Sequence, residues 1–137
     1  MDYYRIAEEP LQAATLLKND GLYRMSVSMA TLAIDLLLKS VLYRLDNTNE
    51  LLIGHDHIGI FRTIEKRYPN PKLRALVKLS RKYFNDSRYS NSENFPAFTE
   101  PLARDFIEYA QQVKDYIDFD CQATLEDLQK RFSKPNS

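Results

Sequence analysis

The stretch LYRMSVSMATLAIDLLLKSVLYRL, Leu22 to Leu45, decides the fold. Between Met25 and Leu38 it holds a single charge, Asp35, and the next, Lys39, follows one helical turn later. Ala and Leu dominate and neither Pro nor Gly interrupts, so the stretch predicts a helix with apolar residues on nearly every side. Such a helix is buried on several faces at once. The uninterrupted apolar run falls short of the roughly 20 residues that cross a bilayer, so protein segments rather than lipid are expected to cover it. The reading is an all-α protein with this helix at its centre and no membrane contact.

The flanking segments supply the covering helices. Residues 3 to 19 place Tyr4, Ala7, Leu11, Ala14 and Leu17 at helical spacing, with Pro10 either opening the helix in its first turn or kinking it. Asn19-Asp20-Gly21 stops it. Asp46 to Asn49 ends the central helix, and a polar loop runs through Gly54. Asp56 is the expected N-cap of a third helix carrying Ile58, Phe61 and Ile64. Tyr68-Pro69-Asn70-Pro71 breaks that helix, because Pro disfavours the helical conformation in the residue before it.

A fourth helix, about Lys72 to Phe84, turns Leu73, Leu76, Val77, Ser80 and Phe84 to one face and Arg74, Lys78, Arg81 and Lys82 to another. Asn85 to Phe98 reads as an irregular polar loop. Thr99 caps a fifth helix with Leu102, Phe106, Tyr109, Ala110, Val113 and Ile117 on its buried side. A short amphipathic helix is expected near Thr124 to Phe132. The architecture expected is an up-and-down four-helix bundle core with one or two additional short helices, forming one domain over 1–133 with a frayed tail at 134–137.

Composition narrows the function classes. The 137 residues carry 19 basic and 19 acidic side chains, so no overall field favours a polyanion or a membrane surface. The charges are nevertheless unevenly placed. Arg62 to Lys82 holds eight bases against Glu65, whereas Asp86 to Asp127 holds ten acids against three bases. Cys121 stands alone, which excludes a disulfide framework and a Cys-based zinc site. The opening MDYYRIAEEP lacks the basic start and apolar run of a secretory signal, so a cytoplasmic location is expected. No cofactor is expected.

The central helix with Asp35 and Lys39, the His55-Asp56-His57 run opening the next helix, and Arg88-Tyr89-Ser90 before the long C-terminal helix together resemble the HEPN family over about residues 7–117. Asp35 stands where that family more often has Glu, and His57 where an apolar residue is usual. The resemblance implies a helical bundle, a homodimer, a function tied to nucleotides or RNA, and in some members a toxin–antitoxin role beside a nucleotidyltransferase partner. It also implies, in other members, an RNase whose Arg is followed within a turn or two by His. That spacing is missing here: Arg104 is followed by Tyr109, and a phenol is a poor base at neutral pH. A binding and interaction module without catalysis is therefore expected first, and an RNase toxin with a degenerate Arg/His site second.

Each candidate residue has two readings. Asp35 and Lys39 form either a phosphate-holding pair or an intrahelical ion pair at the rim. His55 is either a titrating imidazole in a cleft or a ring packed by the central helix and bonded to Asp35. A metal at His55 and His57 lacks a third ligand and is not expected. Arg88 and Tyr89 either fork and stack a nucleotide or anchor a loop. Arg74, Lys78, Arg81 and Lys82 are a docking stripe or a solvated face. The central helix is expected to carry more apolar surface than its own chain can cover, which favours a dimer.

Overall fold

A computed structural model describes residues 1–89 and 97–122. The described residues form five α-helices and no strand: α1 Tyr3–Asn19, α2 Tyr23–Leu45, α3 His57–Glu65, α4 Arg74–Tyr89 and α5 Glu100–Asp115. Single 3-10 turns at Glu50–Leu52 and Pro71–Leu73 precede α3 and α4, and a π-helical turn, Tyr116–Asp120, continues α5. The protein is all-α, and α2 packs against all four other helices. That arrangement is compatible with a bundle core to which the short α3 is added. The short helix expected near 124–132, the tail at 134–137 and Ser90 lie outside the described residues.

The helix ends follow local chemistry. Asp2 caps α1 by accepting from the Arg5 N–H at 3.1 Å, Asp56 caps α3 through Gly59, and Thr99 caps α5 through Leu102. After α1 the chain turns at Gly21, whose φ of +77° suits a residue without Cβ. The Leu22 N–H there returns to the Leu17 carbonyl at 2.9 Å. Pro10 does not open the helix. It lies buried in the interior of α1, where the missing N–H removes one intrahelical bond and the flanking turns carry the helix on.

At 23 residues, α2 is long and apolar enough to cross a bilayer by length and composition, contrary to the expectation from its apolar run. Yet 67% of its most apolar window is buried inside the protein. Val27, Ala30, Ala33, Ile34, Leu38, Val41 and Leu42 are fully covered, so the chain's own helices bury more of α2 than its composition suggested. Burying each large side chain there stabilises the fold by about 1.5–3 kcal/mol before chain entropy is subtracted. The larger cluster joins α2 to Ile60, Phe61 and Ile64 of α3, Val77 of α4, Val113 of α5 and Ile117 of the turn that continues α5. A smaller one gathers Ala14, Val27, Ala30, Ala103 and Phe106 at the other end.

The fourth helix runs five residues past its expected end, to Tyr89. Asn, Asp and Ser in this stretch favour turns locally, but side-chain contacts override them. Lys82 pairs with Asp86 at 3.3 Å, Ser87 is buried, and Arg88 reaches back to the Phe84 carbonyl at 3.0 Å. Arg88 and Tyr89 are therefore helical, not part of a loop.

Candidate functional site

Asp35 sits at the middle of α2 with no exposed surface, and a carboxylate placed there must be paired. Lys39, one turn on, brings Nζ to 2.9 Å from Oδ2. The expected ion pair thus exists, but in the interior and not at the rim, since Lys39 is only 5% exposed. His55, in the loop before α3, places Nδ1 3.2 Å from the same Oδ2. His57, in the first turn of α3, places Nε2 3.3 Å from Oδ1. This last contact has ion-pair distance without hydrogen-bond alignment, so Oδ1 and Nε2 each lack an aligned partner. Burial alone raises the Asp35 carboxyl; the neighbouring His57 and Lys39 outweigh it and hold the group below its ordinary value.

His57 is itself wholly enclosed. Burial pulls its imidazole below the usual histidine value despite the carboxylate beside it, so the ring is neutral at pH 7. Nδ1 lies 2.9 Å from Ser80 Oγ on the inner face of α4. A carboxylate only accepts, so the tautomer that suits both neighbours carries its proton on Nε2, and the Ser80 hydroxyl donates to Nδ1. Ser80, His57 and Asp35 therefore tie α4, α3 and α2 together through the core. All three are too deeply buried to meet a substrate.

Arg88 completes the group from α4. Its guanidinium carbon stands 3.8 Å from the Phe84 ring centroid, and the His55 ring lies 4.6 Å from the same centroid. Its nitrogens donate to the Ser28 carbonyl at 2.7 Å, the Phe84 carbonyl at 3.0 Å and Thr31 Oγ1 at 3.3 Å. The fork expected for a phosphate is thus engaged with the backbone, although its positive charge remains close to His55. Tyr89 is 75% exposed at the end of α4.

Four of the expected residues, Asp35, Lys39, His55 and Arg88, come together here although more than fifty positions separate the first from the last. The sequence reading missed the positions of His57 and Ser80 in this network. The signal was present: a His in an apolar position of α3 and a Ser on the packing face of α4 each require a buried polar partner. The basic stripe is less open than its spacing implies. Arg74 is bonded to Glu65 at 2.9 Å and Lys82 to Asp86, while Lys78 stays exposed and Arg81 is half-buried. Among the described residues no group of His, Cys, Asp and Glu is placed to hold a metal ion.

A small all-α domain, with a buried acid and a lysine one turn apart on its longest helix and a histidine from the next segment on that acid, is the class these elements define. The HEPN domain model matches residues 1–119, and the chain belongs to the HEPN family. No curated protein and no solved structure matches it. Membership supports a module associated with nucleotides or RNA.

Proposed function

We propose that this HEPN protein is a cytoplasmic, homodimeric binding and interaction module for a nucleotide or RNA, without catalysis of its own. The observation that carries the reading is the meeting of Lys39 and His55 on the Asp35 carboxylate, with Arg88 and His55 against the same Phe84 ring, at a place where His55 opens to solvent. The half-exposed His55 ring, with the Arg88 charge behind it, suits a phosphate oxygen, and the exposed Tyr89 ring suits stacking on a base. Lys78 and Arg81 extend positive charge along α4. Arg104, by contrast, is solvent-facing and directed to Glu100 at 3.8 Å, and Tyr109 packs between the two core clusters. That arrangement favours binding over an Arg-and-Tyr catalytic pair. Thermal shift with AMP, ATP and GTP tests the reading: stabilisation at millimolar nucleotide supports it, and its absence removes it.

The dimer rests on a stripe of α2. Met25, Met29, Leu32, Leu36, Ser40 and Tyr43 follow one another at spacings of three and four and are exposed or half-buried, with no charged residue in the stripe. A second copy covering this stripe is the partner that fits it. A nucleotidyltransferase as a further partner, as in toxin–antitoxin pairs, rests on family membership, and co-purification with such a protein from co-expression tests it.

One observation favours a second reading, an RNase toxin: Asp35 fixes one nitrogen of His55 and leaves the other available as a base. Cleavage of bulk RNA that disappears with His55→Ala would replace the binding module with the enzyme.

A further inference from the structure

In the π-helical turn after α5, Phe119 leaves 74% of its surface in solvent between two carboxylates, Asp118 and Asp120. Asp118 is engaged within the chain by Tyr4 and Lys114, at 2.6 and 2.8 Å. Asp120 is exposed, and its Oδ2 accepts from Asn70 Nδ2 at 3.2 Å, which sets this turn beside the residues leading into α4. There Pro71 is exposed, and Ala75 and Leu79, one turn apart on α4, are exposed as well, Leu79 by 40%. Lys78 stands next to Leu79 and is open to solvent. One face thus has two unlike halves, an aromatic ring with a carboxylate and an apolar strip with an ammonium. A single exposed apolar side chain is ordinary, whereas a large ring and an apolar strip brought side by side suit a contact surface.

We propose that this face binds the same face of a second copy about a two-fold axis, the Phe119 ring of each lying on Ala75 and Leu79 of the other and Asp120 of each meeting the other's Lys78. A two-fold contact is self-complementary, so both halves must lie on one surface, and the Asn70–Asp120 bond holds them together. Each apolar and each charged contact is then made twice. A partner of one sign would be attracted to one half of the face and repelled by the other, which favours a second copy over an unrelated acidic or basic protein. The chain as a whole is neutral, so no net repulsion keeps two copies apart. The face shares no residue with the α2 stripe, and the contact is additional to the dimer proposed there. It is small next to the roughly 20–30 residues a side of a stable interface, so association is expected at about millimolar rather than micromolar protein.

Sedimentation equilibrium up to about 1 mM tests this on the full chain, both native and with Leu32→Glu and Leu36→Glu blocking the α2 stripe. Each is expected to double in mass as concentration rises. Phe119→Ser changes an exposed ring, so the fold is retained, and it is expected to weaken the doubling at least about tenfold. Asp120→Lys and Lys78→Glu are each expected to weaken it, and the two together to restore it. No doubling, doubling that Phe119→Ser leaves unchanged, or a double reversal no stronger than the single ones overturns the inference. Doubling that disappears on nuclease treatment shows RNA bridging the copies and overturns it too.

Discussion

Ser80 Oγ stands 2.9 Å from Nδ1 of His57, and neither side chain reaches solvent. This bond gives Nδ1 a partner in a histidine whose tautomer is set by the Asp35 carboxylate on its other side. It also sets the register of α4 against α3. Removing the hydroxyl leaves the ring nitrogen without a partner, so Ser80→Ala is expected to cost about 1–3 kcal/mol in urea unfolding. A change within a few tenths of a kcal/mol would show that the bond contributes nothing to stability.

Asp35 and Lys39 are a buried pair whose members depend on each other. Asp35→Ala strands an ammonium in the core and is expected to cost about 3–5 kcal/mol, whereas Asp35→Ala combined with Lys39→Met removes both charges and recovers part of the loss. Denaturation of the two single variants and the double gives the coupling. Simple additivity would argue against the pair as a unit.

Acid should weaken the fold in two stages. His57 has a lowered value in the folded chain, so its contribution is complete above about pH 6.5, the unfolded value, and is lost as pH falls toward the folded one. Asp35 is also lowered, so its contribution is complete above about pH 4 and is lost below that. Both slopes have the same sign. The urea midpoint should therefore fall from pH 7 to pH 5, and His57→Leu should flatten that segment.

Gly21 and Gly54 predict opposite outcomes for the same substitution. Gly21 holds φ +77°, so Gly21→Ala is expected to cost about 1 kcal/mol in thermal unfolding through backbone strain. Gly54 has no such conformation, and a Cβ there meets nothing within 4 Å. Gly54→Ala should be neutral or slightly stabilising.

The α2 stripe makes the proposed dimer testable. Light scattering is expected to give twice the chain mass for the native protein and a monomer for Leu32→Glu with Leu36→Glu, since two carboxylates would then have to be desolvated in the interface. A native protein that is monomeric at high micromolar concentration rules out the dimer.

Much of this was readable from local patterns. The stop at Asn19-Asp20-Gly21, the Asp56 and Thr99 caps and the buried face of α5 all arise from residues close in sequence, where turn and capping chemistry acts over three or four positions. The end of α4 was not readable. Its polar residues favour turns, and the helix continues only because Phe84, Ser87 and Arg88 find partners on α2 and α3. The interior position of Pro10 likewise depends on the residues before it being held helical by the Asp2 cap and the packing of α1.

An apolar 23-residue helix, set among shorter amphipathic segments with few glycines, was enough to require an all-α protein built around α2, because that much apolar surface has to be covered and the spacing of its neighbours suits only helices. The chain order of Asp35, Lys39, His55 and Arg88 was visible in the same way. Their convergence was a matter of three dimensions. Which nitrogen meets which oxygen, which histidine is enclosed and which is open, and whether a charge is paired or available depend on helices that fold back across tens of residues, and side-chain spacing along one chain carries no record of those distances.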